Sequence, residues 1–207
     1  GINHIPVSES AGLTFATQLR ALLRQDPDVI LVGEIRDADT ARIAVQAALA
    51  GRLVLTTLHA PNAIGAVYRL FQMGIEPYQV AASLEGVISQ RLVRRNCIYC
   101  SDSDSVSSPT RSHIQEVLKI SKLNLMAGKG CTICRGTGFY DRIGAFQLLE
   151  INESIRELIS QRPSPTQLDA LSRKFGLVSL QEEALSLAAE GLTSVEEVLG
   201  LDMDSDE

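Results

Sequence analysis

Two short aliphatic runs, Val29-Ile30-Leu31-Val32 and Leu53-Val54-Leu55-Thr56-Thr57, flank one segment of helical character, and this arrangement restricts the fold more than any other feature. An uninterrupted run of β-branched and aliphatic residues suits a central strand covered on both faces, as in a parallel sheet. Between the runs, Asp39 or Asp37 can cap a helix through Ile43, Val45, Ala47 and Ala48, and Gly51 supplies its stop. Strand, helix and strand at this spacing predict a right-handed crossover unit of an α/β sheet, in which ligands gather beyond the carboxyl ends of the strands. Gly33-Glu34 and Leu58-His59 then lie side by side at that edge.

The remaining elements follow from caps and periodicity. Thr14 predicts a helix through Phe15, Leu19, Leu22 and Leu23, closed by Pro27. After the second strand, one helix is expected from Asn62 to Gly74 and another from Pro77 to about Arg91. The stretch Ser101 to Ser112 has the Ser, Asp and Pro content of a solvated loop, with a helix expected near His113 to Lys122. Arg142 to Ile151 predicts a strand. Asn152, Ser164 with Pro165, Ser179 with Glu182, and Thr193 with Glu196 each predict a helix start.

At 207 residues with 45% hydrophobic content, the chain can bury a substantial core. No run reaches the length of a membrane helix and the first residues lack the pattern of a signal peptide, so the chain reads as soluble and cytoplasmic. A net charge of -6 argues against nucleic-acid binding, and the acids at the end, Asp202, Asp204, Asp206 and Glu207, read as a solvated tail. The start at Gly1-Ile2-Asn3, without an initiator Met, reads as that of a fragment.

Two motifs point to chemistry. Along Asp26 to Asp37 a hydrophobic strand delivers Glu34 to its carboxyl end, the geometry of a Walker B strand, where a carboxylate polarises the attacking water or holds the Mg²⁺ shell. An isolated hydrophobic run followed by Glu would more often simply end a strand in solvent. The second motif is Cys97-Ile98-Tyr99-Cys100 with Cys131-Thr132-Ile133-Cys134. Two such knuckles supply the four soft ligands of a closed tetrahedral Zn²⁺ site with a structural role. A redox pair is the main competitor, although it would need no second pair.

Leu19-Arg20-Ala21-Leu22-Leu23-Arg24-Gln25-Asp26-Pro27-Asp28 and Gly33-Glu34-Ile35-Arg36-Asp37 closely resemble the Walker B region of the ATPases of type II secretion and type IV pilus assembly. Gly51 to Ala60 resembles that family's histidine box, with Arg52 where members often carry a second His and Ala60 where they often carry Thr. Gly86 to Arg95 is similar to the segment leading into the cysteines; by itself it reads as an amphipathic helix end with basic residues against the dipole. The likeness runs through Ile143 to Ile151 and thins beyond.

The resemblance implies a RecA-like P-loop domain, here partial, within a homohexamer at the cytoplasmic face of the inner membrane. That hexamer would hydrolyse Mg-ATP and act on an inner-membrane platform protein. It implies Glu34 and His59 as catalytic residues, with Gly33, Arg36 and Asp37 on the nucleotide side. By themselves Arg20, Arg24 and Arg36 are left between subunit-interface or phosphate contacts and ordinary surface residues. The organisation expected is an ATPase core over 1–95, a tetracysteine zinc subdomain over 96–140, a mainly helical subdomain over 141–201 and an acidic tail over 202–207. No G-x-x-x-x-G-K-[ST] loop occurs, and the resemblance places it before the first residue, so the chain alone is expected to bind ATP poorly. A non-enzymatic zinc-containing docking module is the alternative of another class.

Overall fold

The computed structural model describes residues 2–8, 10 and 12–200, so the acidic tail over 202–207 lies outside the described residues. The chain divides into two units, one of residues 1–87 and 149–175, the other of residues 88–148 and 176–207. The helices after Ile151 are thereby shared between the two.

The first unit contains the crossover. Helix α1 (Phe15–Leu23) starts at Thr14, whose hydroxyl accepts the Thr17 N–H. Strand β1 (Val29–Val32), helix α2 (Ala38–Leu49) and strand β2 (Leu53–Thr56) follow, and β1 pairs with β2 in parallel, Val29 against Leu53 through Val32 against Thr56. Burial on both strand faces, expected from the aliphatic runs, is found on one face only. Ile30 and Val32 are buried, whereas Val29 and Leu31 are 57% and 74% exposed. Leu53 and Leu55, their partners in register, are exposed beside them, because the helices of this unit cover a single side of the pair.

Helix α3 (Ala63–Gln72) begins at Asn62 as expected, with the Asn62 carboxamide oxygen accepting the Gly65 N–H. Helix α4 (Pro77–Ser83) is shorter than expected. Instead of continuing to Arg91, the chain enters strand β3 (Gly86–Asn96), so Arg91, Arg94 and Arg95 do not decorate a helix end. The segment Gln90-Arg91-Leu92 has good helix propensity, but a ladder to a distant strand outweighs local preference. That partner is β6 (Phe139–Glu150), which begins three residues before the strand expected at Arg142. Helices α6 (Glu153–Ser160) and α7 (Pro165–Lys174) return to the first unit, capped by Asn152 and Ser164. There the Tyr68 hydroxyl donates to the Pro163 carbonyl.

The second unit carries β4 (Ser101–Ser103), α5 (Ser108–Leu118) and β5 (Met126–Gly128), with β4 and β5 antiparallel. Helix α5 starts before the expected His113 because Ser107 caps it and Pro109 occupies its first turn. Lys119, in the left-handed conformation, ends it. Helices α8 (Leu180–Ala189) and α9 (Val195–Gly200) complete the unit. The Ser179 and Glu182 capping box forms as expected. At α9 the cap is Ser194 rather than Thr193, since Ser194 Oγ accepts the Glu197 N–H while the Thr193 hydroxyl donates to the Arg94 carbonyl. Val93, Ile114, Leu125, Leu180, Leu185 and Val198 form the centre of this unit's core.

Candidate active site and metal centre

The carboxyl ends of β1 and β2 bring Glu34 and His59 together. Glu34, its side chain 22% exposed, pairs with Arg36 Nη2 through Oε1 at 2.6 Å and faces His59 Nε2 through Oε2 at 3.5 Å. The hydrogen bond from Arg36 outweighs desolvation and, with the charge of Arg36 and a lesser contribution from His59, holds the Glu34 carboxyl below its ordinary value. Glu34 is therefore a carboxylate at neutral pH, an acceptor rather than an acid. Its two oxygens have different neighbours, which fixes the plane of the group.

Asp37 lies one turn further on. It caps α2, with Oδ1 accepting the Thr40 N–H at 2.8 Å and Oδ2 the Thr40 hydroxyl at 2.9 Å. Gly33 is held through its carbonyl, which accepts the Thr57 hydroxyl at 2.8 Å. Arg52 is at the other end of the strands: its Nη2 pairs with Asp26 at 2.9 Å, beside the amino-terminal bond from Leu53 N–H to the Asp28 carbonyl. Four residues of strand span roughly 13 Å, which separates Arg52 from Glu34. Arg20 and Arg24 are exposed on and just after α1. The family resemblance pointed to Arg36, but nothing in the sequence pointed to its ion pair with Glu34 or to Thr57, whose bond depends on strand register.

In the second unit Cys97, Cys100, Cys131 and Cys134 converge, with all four sulfurs within 4.8 Å of one another. Cys97 Sγ lies 3.9 Å from Cys131 Sγ, Cys100 Sγ 3.8 Å from Cys134 Sγ, and Cys131 Sγ 3.7 Å from Cys134 Sγ. A tetrahedral Zn²⁺ with bonds of about 2.3 Å sets its sulfurs about 3.8 Å apart, whereas a disulfide needs about 2.0 Å. The donor set thus fits a closed thiolate site for a soft metal ion.

Local backbone explains the convergence. Pairing of β4 with β5 folds the chain back, and Gly128 meets Gly138 so closely that a Cβ on Gly128 would fall 1.9 Å from the Gly138 carbonyl oxygen. Cys134 Sγ accepts the N–H groups of Cys131 at 3.1 Å and Gly138 at 3.3 Å. These bonds, the Cys131 amide foremost, pull its thiol down to about 6, while burial foremost pushes Cys100 up to about 12. One sulfur is thus ready as a thiolate, and a metal ion would deprotonate the others.

Among the described residues no helix is long and apolar enough to cross a membrane.

The chain resembles known proteins along nearly its whole length. The family model described as type II/IV secretion system protein matches residues 1–200. The type IV pilus assembly ATPase PilB of Thermus thermophilus is 46% identical over 201 residues, which is 96% of this chain and 22% of that protein. The type II secretion system ATPase E of Vibrio cholerae is 40% identical over 205 residues, 99% of this chain and 40% of that protein. The chain therefore spans between about a fifth and two fifths of these relatives.

Among solved structures, the pilus retraction motor PilT with bound ADP superposes with a TM-score of 0.63 at 28% identity, covering 90% of this chain and 43% of PilT. The ATPase DotB of Yersinia pseudotuberculosis superposes with a TM-score of 0.65 at 21% identity, covering 94% and 42%, a likeness of fold. With its α/β crossover in the fold of these ATPases and the family model matched from residue 1 to residue 200, the chain belongs to the type II/IV secretion system protein family.

Proposed function

We propose that this chain is the hydrolytic part of a hexameric, RecA-like ATPase that drives type IV pilus assembly or type II secretion from the cytoplasmic face of the inner membrane, through a membrane platform protein. The observation that carries the reading is the Glu34 carboxylate at the end of β1, tied to Arg36 and facing His59. The names of the relatives, pilus assembly and secretion ATPases, agree with it.

In this reading Mg-ATP supplies the electrophilic γ-phosphoryl group. Glu34, ionised and fixed in plane, accepts a hydrogen bond from the attacking water and orients it in line, since positioning and electrostatics carry most phosphoryl-transfer catalysis. The exposed His59 side chain can turn from Glu34 toward the phosphates and report their presence. Arg36 and the Gly33 backbone form the neighbouring wall, and Asp37 holds the N-terminus of α2 against it. The four cysteines hold a structural Zn²⁺ that closes the second unit without taking part in hydrolysis.

The test is ATP turnover by the full-length protein with and without Glu34→Gln. The amide keeps the shape and the nucleotide contacts but loses the charge. Turnover should fall at least 100-fold, on the order of the loss from a misdirected nucleophile, while nucleotide binding persists. Turnover at the native rate in Glu34→Gln would overturn the assignment.

A further inference from the structure

The parallel register of β1 and β2 contains a slip that decides where Glu34 points. From Val29 with Leu53 to Val32 with Thr56 the offset is constant, and continued it would send the Glu34 N–H to the Thr57 carbonyl. It is the Ile35 N–H that makes this bond, at 3.0 Å. One extra residue has therefore entered the end of β1, as in a β-bulge.

Burial records the same slip. Ile30 and Val32 face the core, and the next inward position on a regular strand would be residue 34. Ile35 takes that place, 3% exposed, and Glu34 emerges on the side of Val29 and Leu31. In the regular ladder the Gly33 carbonyl would point away from β2; the bulge turns it to that side, where it accepts the Thr57 hydroxyl at 2.8 Å. Thr57 thus grips the chain on both sides of Glu34, through Gly33 with its side chain and through Ile35 with its carbonyl. It stands two residues before His59, so the same residue sets the separation of Glu34 from His59.

We propose that Thr57 is a positioning residue for hydrolysis, which locks the bulge at Gly33 through its hydroxyl and so aims the Glu34 carboxylate. The inference rests on Glu34 being the hydrolytic carboxylate. Thr57 touches no reacting atom. Because Thr57 is solvent-exposed, loss of its hydroxyl should leave folding nearly untouched while releasing the carboxylate.

The experiment measures ATP turnover, nucleotide affinity and thermal midpoint in the full-length protein carrying Thr57→Val, Thr57→Ser or Glu34→Gln. Thr57→Val should lower kcat on the order of 10- to 100-fold, the scale of a small misplacement of a catalytic group, with nucleotide Kd and thermal midpoint unchanged. Thr57→Ser, which keeps the hydroxyl, should restore turnover. If Thr57→Val does not fold, Thr57→Ala removes the same hydroxyl and is read in the same way. An inactive Glu34→Gln beside a fully active Thr57→Val overturns the positioning role alone. A Thr57→Val loss spread over affinity and thermal midpoint, or not rescued by Ser, overturns it in favour of a structural role. An active Glu34→Gln overturns the catalytic assignment itself, and the positioning role with it.

Discussion

Glu197 on α9 is only 7% exposed, and its carboxylate is satisfied by one residue. Arg94 gives it a backbone N–H at 3.0 Å and its Nε at 2.8 Å, while the guanidinium lies 4.2 Å from the centre of the Phe139 ring. Burial alone would raise the Glu197 carboxyl; the bonds from Arg94 outweigh it and hold the group below its ordinary value of 4.5. A carboxyl depressed by folding stabilises the native state above its unfolded value and loses that contribution as the pH falls through the folded one. Glu197→Gln should therefore destabilise the protein by about 1–3 kcal/mol at neutral pH. The gap to the native protein should close under acid conditions, both being read by urea denaturation. A gap that stays constant with pH would mean that packing of α9, and not the charge, is what the residue supplies. The partners are 103 positions apart, and for that reason the pair is invisible in the sequence, where Arg94 reads only as one of several basic residues near a helix end.

Elements whose limits are set by adjacent residues behave differently. Asp37 caps α2 with both oxygens on Thr40, and the Thr40 backbone N–H is the main cause of its lowered pKa, so it remains charged through the neutral range. Asp37→Ala should cost about 1 kcal/mol by urea denaturation, and Asp37→Ser should recover most of it because a serine hydroxyl reaches the same amide. Equal stability of the Ala variant and the native protein would show that α2 is held by packing alone. The same locality made Thr14, Asn62, Asn152, Ser164 and Ser179 legible as helix starts, since each side chain bonds an amide three residues ahead. Locality is absent from β3, where pairing with β6 turns a stretch of good helix formers into a strand. It is absent from the Thr57 bond as well, which exists only because the ladder slips by one residue. Glu34 and His59 could be placed side by side because any parallel pair of these two runs brings their carboxyl ends together. The cysteines could be grouped because their spacing allows little else.

At the scale of the molecule the chain leaves one unit and returns to it, so that residues 149–175 rejoin residues 1–87 and residues 176–207 rejoin residues 88–148. Each unit thus includes segments distant in sequence, and the second has a hydrophobic core of its own built from Val93, Ile114, Leu125, Leu180 and Leu185. The two cysteine knuckles hold a different part of that unit. They are fastened by the three-residue pairing of β4 with β5 and by a few backbone bonds such as Cys97 N–H to the Gly138 carbonyl. In the proposed site a Zn²⁺ ion is the one partner common to all four sulfurs, which lie within 4.8 Å of one another, so its removal should open this corner first. Hydrogen exchange after chelation should quicken across 97–104 and 126–138 while α1 to α4, α6 and α7 stay protected. Helical far-ultraviolet signal should largely persist, because α5 is the one helix between the knuckles among the described residues. Collapse of that signal on chelation would instead show that the metal sustains both units. The first unit would then owe its order to a centre with which it shares no ligand, since all four cysteines lie between residues 88 and 148.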